Sequence, residues 1–275
     1  MTTSISTVFE TEWAHWQHAR EDQLRDPLGF LSLTALHWLT DQPERLPDVP
    51  GTWWVTDDKV FITAQPADRL DYDGERIAGV QIITPAEGAT GLIVRHEDRV
   101  LEVIRRTGRY AVRVHDPAAP TLLSFTGIPS YAPDPRWVLS GKFTPFDEPQ
   151  TVTTGAVVDG LEHHHTASGT IEFTLGEATE RVLAFGDPTD LRLLFTDATS
   201  GVTTYPAARS LAVGAPDADG TVRLDFNRAA NLPCAFTDFA TCPLAPEQNR
   251  LRVAIEAGEQ HPGLQHGELS QRRTA

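Results

Sequence analysis

From Gly51 onward the chain reads in period two, and this constrains its fold more than any other feature. Trp54–Val55 runs into Asp57–Asp58 and out again through Val60, Phe61, Ile62 and Thr63. Similar short runs cover 77–83, 91–95, 100–105 and 110–114, then 137–143, 151–158, 170–175, 180–185, 191–195, 202–205 and 222–226. Turn residues separate them, among them Asp73–Gly74, Thr107–Gly108 and Asp219–Gly220. Side chains alternate between the faces of a strand, so each run buries one face. Turns spaced about 8–12 residues apart predict an antiparallel sandwich or barrel. A last strand is expected at 250–256, with Leu251, Val253 and Ile255 on one face.

The first fifty residues follow another period. Phe9, Trp13, Trp16 and Ala19 or Arg20 recur at three- and four-residue spacing, which predicts an amphipathic helix ending before Pro27. A second helix is expected over 31–39, with Leu31, Ala35, Trp38 and Leu39 facing a core. The fold reading is therefore mainly β, an antiparallel barrel or two packed sheets, with two N-terminal helices over one opening or edge. Residues 1–50 form the helical cap, 51–259 the β-rich body in one unit with it, and 260–275 a frayed tail. Residues 116–136, rich in Pro, Ser and Ala, read as a connector packed on the body through Phe125, Ile128 and Tyr131. At 275 residues the chain is long enough to bury its own core without disulfides or metals.

The net charge of −15 argues against a nucleic-acid partner, because such a surface repels phosphate backbones. No apolar run approaches the roughly 20 residues that cross a bilayer, so no membrane partner is expected. MTTSISTVFETEWAHW carries no basic or apolar leader segment. Two cysteines in a chain of this length point to a reducing, cytoplasmic setting. No G-x-S-x-G elbow, G-x-G-x-x-G turn or phosphate loop is present.

Candidate chemistry concentrates in 225–259, DFNRAANLPCAFTDFATCPLAPEQNRLRVAIEAGE. Arg209, Arg228 and Arg250 fall at predicted strand edges, where a guanidinium fork holds a carboxylate or phosphate with two parallel hydrogen bonds. Asn227 and Asn249 stand beside two of them with both donor and acceptor groups, and Tyr205 lies four residues before Arg209. These six are the candidate ligand-binding residues, with Phe226, Phe236 and Phe239 as apolar lining. The competing reading is that the arginines pair with acids, Arg228 with Asp225 and Arg250 with Glu256 or Glu259. Cys234 is the candidate nucleophile. Seven residues separate it from Cys242, wider than a zinc knuckle, and the plain alternative is two buried thiols in a proline-fixed loop. His163 and His165 share a strand face and would serve a divalent metal only with a third ligand; otherwise no cofactor is expected.

DFNRA, PCAFT, ATCPLAPEQNRL and IEAGE, with TYPAARSL at 204–211 and LLFTDATSG before it, resemble the bacterial family catalogued as domain of unknown function 1684. The resemblance reaches towards DPLGFLSLTALHWL and implies one ordered unit, with no activity attached. Two positions depart from it: Ala208 stands where a Gly is usual, and Leu232 where a second Pro precedes the first Cys. The residues favour an uncharacterised protein that binds a small polar or anionic metabolite in a β-barrel pocket. The alternatives are a hydrolase or thiol-dependent enzyme using Cys234, and a structural or interaction protein.

Overall fold

The computed structural model describes residues 2–263, the first five by backbone alone; most of the tail expected to fray, 264–275, lies outside the described residues. The chain forms two compact units, Asp22–Thr126 and Met1–Glu21 with Gly127–Ala275. The first takes in residues on both sides of position 50. A long helix, α1 (Thr2–Leu24), opens the chain.

The Asp22–Thr126 unit holds β1 (Leu33–Trp38), β2 (Thr52–Thr56), β3 (Lys59–Ala64), β4 (Leu70–Tyr72), β5 (Glu75–Arg76), β6 (Gly79–Ile83), β7 (Leu92–His96), β8 (Arg99–Arg106), β9 (Arg109–His115) and a single turn of helix, α2 (Pro120–Leu123). They build two antiparallel sheets, ordered β1-β9-β8-β7-β4-β5 and β2-β3-β6. Trp53, Val60 and Ile62 of the smaller sheet pack with Leu101, Val103 and Val112 of the larger in one buried cluster, so the two lie face to face. Since β8 and β9 give Leu101, Val103, Val112 and Val114 to that core, Glu102, Arg106, Arg113 and His115 must project from the opposite face.

Here the sequence expectation for 31–39 is corrected. A 3-10 turn, Phe30–Ser32, leads into β1, which pairs with the edge of β9 from Leu33↔His115 to Trp38↔Ala111. A short apolar run suits a buried helix or strand equally by periodicity, and the open ladder of β9 decides between them.

The second unit contains β10 (Val138–Gly155), β11 (Glu162–Leu175), β12 (Ala178–Phe185), β13 (Leu191–Phe195), β14 (Arg209–Gly214), β15 (Thr221–Asp225) and β16 (Ala230–Asn231), all in one antiparallel sheet ordered β15-β10-β11-β12-β13-β14-β16. The expected strands at 137–143 and 151–158 are one bent strand, with a register shift between Pro145 and Gln150. The two outermost strands are joined by four residues, Phe226–Ala229. A flat seven-stranded sheet would hold them about 29 Å apart at roughly 4.8 Å per strand, while such a link reaches about 18 Å at most. The sheet must therefore curl. Phe143, Ile171, Val182, Leu193, Leu211 and Leu224 fill the concave side as one core. No ladder closes β16 onto β15 among the described residues, so the curl stops short of a barrel.

Two expected strands are absent. Residues 202–205 form a turn, and 250–256 run without a strand ladder although Leu251 and Ile255 are buried as the alternation required. Side chains and isolated contacts satisfy that backbone instead: the Ile255 amide donates to Asp197 Oδ2 at 2.6 Å and its carbonyl accepts from Arg209 Nη2 at 3.1 Å. The helix α1 presents the predicted face, with Phe9, Trp13, Trp16 and Arg20 half-buried. Trp13 Nε1 donates to the Asn227 carbonyl and Arg20 Nη2 to the Asn231 carbonyl, both at 2.9 Å.

Candidate functional site

Of the residues singled out in the C-terminal segment, Arg209, Asn227 and Asn249 are buried and held by internal hydrogen bonds. Arg209, at the start of β14, is 1% exposed. Its Nη1 donates to the Ala257 carbonyl, and its Nη2 lies 3.3 Å from Asp197 Oδ1. Burial pushes its pKa down from the ordinary guanidinium value, against the nearby Asp197 carboxylate. Asn227 Oδ1 accepts from the Asp134 amide at 2.8 Å, while Nδ2 donates to the Asp134 carbonyl and Asp225 Oδ1 at 3.0 Å each. Asn249 is fully buried and bonded to the backbones of Leu183 and Leu194. The polar groups of these two amides are committed to internal bonds, and they act as frame. Phe226 and Phe236 are buried too, at 0% and 1%, and Phe226 belongs to the core rather than to a pocket wall.

Arg228 is half-buried with Nε 3.6 Å from Asp225 Oδ2, the acid pairing considered for it above. Arg250 is exposed. Glu259 takes Arg20 as its partner, at 3.1 Å. The motif glycine Gly258 is dictated by geometry: φ is +76°, and an added Cβ would lie 2.5 Å from the Ala229 carbonyl oxygen.

One grouping within the segment is real. Pro233–Ala235 is a 3-10 turn that carries Cys234, whose amide donates to Cys242 Sγ at 3.2 Å. Both cysteines are buried, and neither forms a disulfide among the described residues. A hydrogen bond from Cys242 lowers the Cys234 thiol below its ordinary range, burial opposes it, and a hydrogen bond from Tyr205 adds to the lowering. His163 and His165 share a strand face with rings 6.0 Å apart. His163 Nε2 meets the Thr241 carbonyl and His165 Nε2 meets Thr154 Oγ1 at 3.2 Å. No group of three His, Cys, Asp or Glu residues among the described residues is arranged to hold a metal ion.

A cavity with convergent charge lies in the Asp22–Thr126 unit, away from the candidate residues. It measures about 470 Å³. Leu28, Phe30, Ile93 and Val100 line it together with Glu102, Arg106, Arg113 and His115. The polar members come from β8 and β9, on the face turned away from the core. Glu102 and Arg113 are register partners, as are Val100 and His115. Arg113 Nη1 donates to Glu102 Oε2 at 3.2 Å, and His115 Nε2 lies 3.5 Å from the same oxygen. His115 Nδ1 sits 2.9 Å from Ser32 Oγ, whose hydroxyl donates to the Gly29 carbonyl. Burial pushes Glu102 up, but the His115 hydrogen bond and the Arg113 charge outweigh it and hold the carboxyl at about 2. Gly91 makes room for it: its amide donates to Glu102 Oε1 at 3.2 Å, and an added Cβ would lie 2.3 Å from Glu102 Cγ. Burial lowers Arg106, and the like charge of Arg113 lowers it further. The signal available in the sequence was four ionisable residues on one alternation face of two adjacent strands, a pattern of spacing and not of motif.

Fold and site together define a mainly β protein of two compact units, one of them carrying a cation-lined cavity. Residues 123–260 match the family model described as Protein of unknown function (DUF1684), and the chain belongs to that family. The match holds the C-terminal motifs; DPLGFLSLTALHWL lies outside it. An uncharacterized protein of Haloarcula marismortui, solved in solution by NMR, is 29% identical over 50% of this chain and 77% of its own, with a TM-score of 0.42. No curated protein matches the chain. No helix among the described residues is long and apolar enough to cross a membrane.

Proposed function

We propose that this protein binds a small anionic metabolite, and that the ligand sits in the β8–β9 cavity of the Asp22–Thr126 unit rather than among the C-terminal motif residues. One observation carries the reading: Arg113 and His115 meet the Glu102 carboxylate, with Arg106 lining the same hollow between apolar walls. A carboxylate or phosphate entering it would balance the excess positive charge, and Leu28, Phe30 and Ile93 would cover an apolar remainder. Arg106 is the cation best able to turn to a ligand, since its Nη1 bonds only to the neighbouring Arg105 carbonyl, at 2.7 Å.

The test is thermal denaturation of the full chain with inorganic phosphate, succinate, citrate and adenosine monophosphate, against glycerol and glucose. At a hundredfold excess over the dissociation constant, a bound anion stabilises the fold by about 2.7 kcal/mol. The expected result is a raised Tm with at least one anion and with neither neutral solute. Arg106→Ala should weaken that anion at least about tenfold. A Tm unmoved by every anion, or moved equally in Arg106→Ala, overturns the reading.

A further inference from the structure

The Cys234–Cys242 pair has no part in the proposed binding cavity, and its arrangement is not that of two unrelated buried thiols. Seven residues separate them in sequence. The Cys234 amide nevertheless points at Cys242 Sγ from 3.2 Å, and Cys242 is the main group that lowers the Cys234 thiol pKa. Each cysteine is fixed by its surroundings. The turn bearing Cys234 is closed by the Ala235 amide on the Leu232 carbonyl and the Phe236 amide on the Pro233 carbonyl, both at 2.9 Å. Cys242 is strapped to the end of β10: its carbonyl accepts from the Val157 amide at 2.9 Å, and the Leu244 amide donates to the Gly155 carbonyl at the same distance. Pro233 and Pro243 stiffen both sites. The chain ordering that a cross-link requires is therefore already present in the reduced protein. A third group, Tyr205, also lowers the Cys234 thiol pKa, against burial.

We propose that Cys234 and Cys242 are a peroxide-sensitive dithiol that closes reversibly into an intramolecular disulfide. Cys234 is assigned the attacking role and Cys242 the resolving one, since Cys234 sits on the tight 3-10 turn and its thiol is held below the ordinary range. The thiolate attacks one oxygen of a hydroperoxide. The O–O bond breaks, the other oxygen leaves as water or an alcohol after taking up a proton, and Cys234 becomes a sulfenic acid. Cys242 then attacks the Cys234 sulfur. The S–O bond breaks, and the hydroxyl leaves as water with the Cys242 proton. Two thiols are oxidised and one hydroperoxide is reduced; a dithiol reductant reverses the bridge by exchange. Both cysteines are less than a tenth exposed, at 4% and 7%. The oxidant must therefore be small, and hydrogen peroxide fits where a bulky disulfide reagent does not.

The experiment treats the folded full chain with hydrogen peroxide, removes the peroxide, then alkylates under denaturing conditions and weighs the intact protein. The expected product is monomeric, lacks both alkylation sites, is lighter than the reduced chain by two hydrogens, and regains both sites with dithiothreitol. Peptide mapping should join the peptide containing Cys234 to the one containing Cys242. In Cys242→Ser the intermediate should persist as a dimedone-reactive sulfenic acid at Cys234, while in Cys234→Ser, Cys242 should stay reduced. Tyr205→Phe, which keeps both thiols, should slow bridging about fivefold, the weight of one net hydrogen bond. The wild-type measurement stands even if a variant fails to fold. Two thiols still alkylatable after peroxide, mass gains of oxygen on separate cysteines, or disulfide-linked dimers would each overturn the proposal.

Discussion

The carboxamide of Asn249 serves Leu183 as a strand partner would: Oδ1 accepts from the Leu183 amide at 2.7 Å, and Nδ2 donates to the Leu183 carbonyl at 3.0 Å. The same Nδ2 donates to the Leu194 carbonyl at 2.9 Å. Leu183 belongs to β12 and Leu194 to β13, two strands whose ladder holds one register pair, Phe185 with Arg192. A side chain thus continues the sheet where the backbones have moved apart. Replacing it leaves a buried amide and two buried carbonyls short of partners, which costs about 1–3 kcal/mol for each unmet group before relaxation. Asn249→Ala should therefore destabilise the protein by about 3 kcal/mol in urea. Asn249→Asp should do no better, because it keeps the shape but loses both donors and turns an anionic oxygen towards carbonyls. A loss below about 0.5 kcal/mol for Asn249→Ala, the range of ordinary surface changes, would refute this assignment.

Arg209 holds the irregular stretch that follows. Its guanidinium joins Asp197 to the carbonyls of Ile255 and Ala257 and stacks on Phe195 with 5.2 Å to the ring centre. Removing one partner of a buried ion pair costs about 3–5 kcal/mol, because the other charge stays in the interior. Arg209→Met is expected in that range. Arg209→Lys keeps the charge without the fork, so it should recover only part of the loss. Hydrogen exchange should separate this from general destabilisation: in Arg209→Lys, amides from Ile255 to Glu259 should exchange faster relative to those of β11.

Alternation in the sequence carried the sheets well, because burial of one strand face imposes period two whatever the topology. It carried the strand ends poorly. Leu251, Val253 and Ile255 alternate as a strand does, and Leu251 and Ile255 are buried, yet the hydrogen bonds of this stretch go to Thr196, Asp197 and Arg209, which sequence spacing cannot reveal. The segment 31–39 failed for the opposite reason: its apolar residues suit either period, and only the free edge of β9 selects the strand. The motif residues were legible as special but not in kind. Asn227, Arg209 and Asn249 are polar residues enclosed by the fold, and a buried structural amide looks in sequence like a binding one. Glu102, Arg106, Arg113 and His115 form no sequence motif, because two of them are set apart from the other two by the β8–β9 turn, and they converge only through register.

Arg20 of α1 and Glu259 give a prediction that depends on pH. Glu259 is 1% exposed; its Oε1 lies 3.1 Å from Arg20 Nε, and its Oε2 accepts from the Asn231 amide at 2.6 Å. Burial raises its pKa above the ordinary carboxyl value, with Arg20 opposing. A raised carboxyl pKa destabilises the fold where the group must ionise, and the cost vanishes below the unfolded pKa. Arg20→Ala removes the opposing charge, so Glu259 should rise further. The variant should be destabilised by about 2 kcal/mol or more at pH near 8 and by clearly less at pH near 5. Equal losses at the two pH values would show that Arg20 acts through packing on Phe236 rather than through Glu259.

Glu102 works in the opposite direction. Its folded pKa of about 2 lies below the ordinary value of 4.5, so the folded protein holds the ionised carboxylate better than the unfolded chain does. The resulting stability is fully present above pH 4.5 and is lost as the pH falls towards 2. At about 1.4 kcal/mol per pKa unit the shift corresponds to about 3 kcal/mol. Glu102→Gln removes the titrating group and leaves Arg113 and His115 facing a neutral amide. The variant should therefore be less stable than the parent near pH 6, and the gap should narrow steadily as both are unfolded in urea at about pH 5, 4 and 3. Because the same substitution removes the one carboxylate that lines the cavity among the described residues, anion affinity should hold or rise while stability at neutral pH falls. Parallel stability curves for the two proteins through the acid range would mean that the Glu102 carboxyl is not held ionised by its neighbours, and the charge balance proposed for the cavity would have to be redrawn.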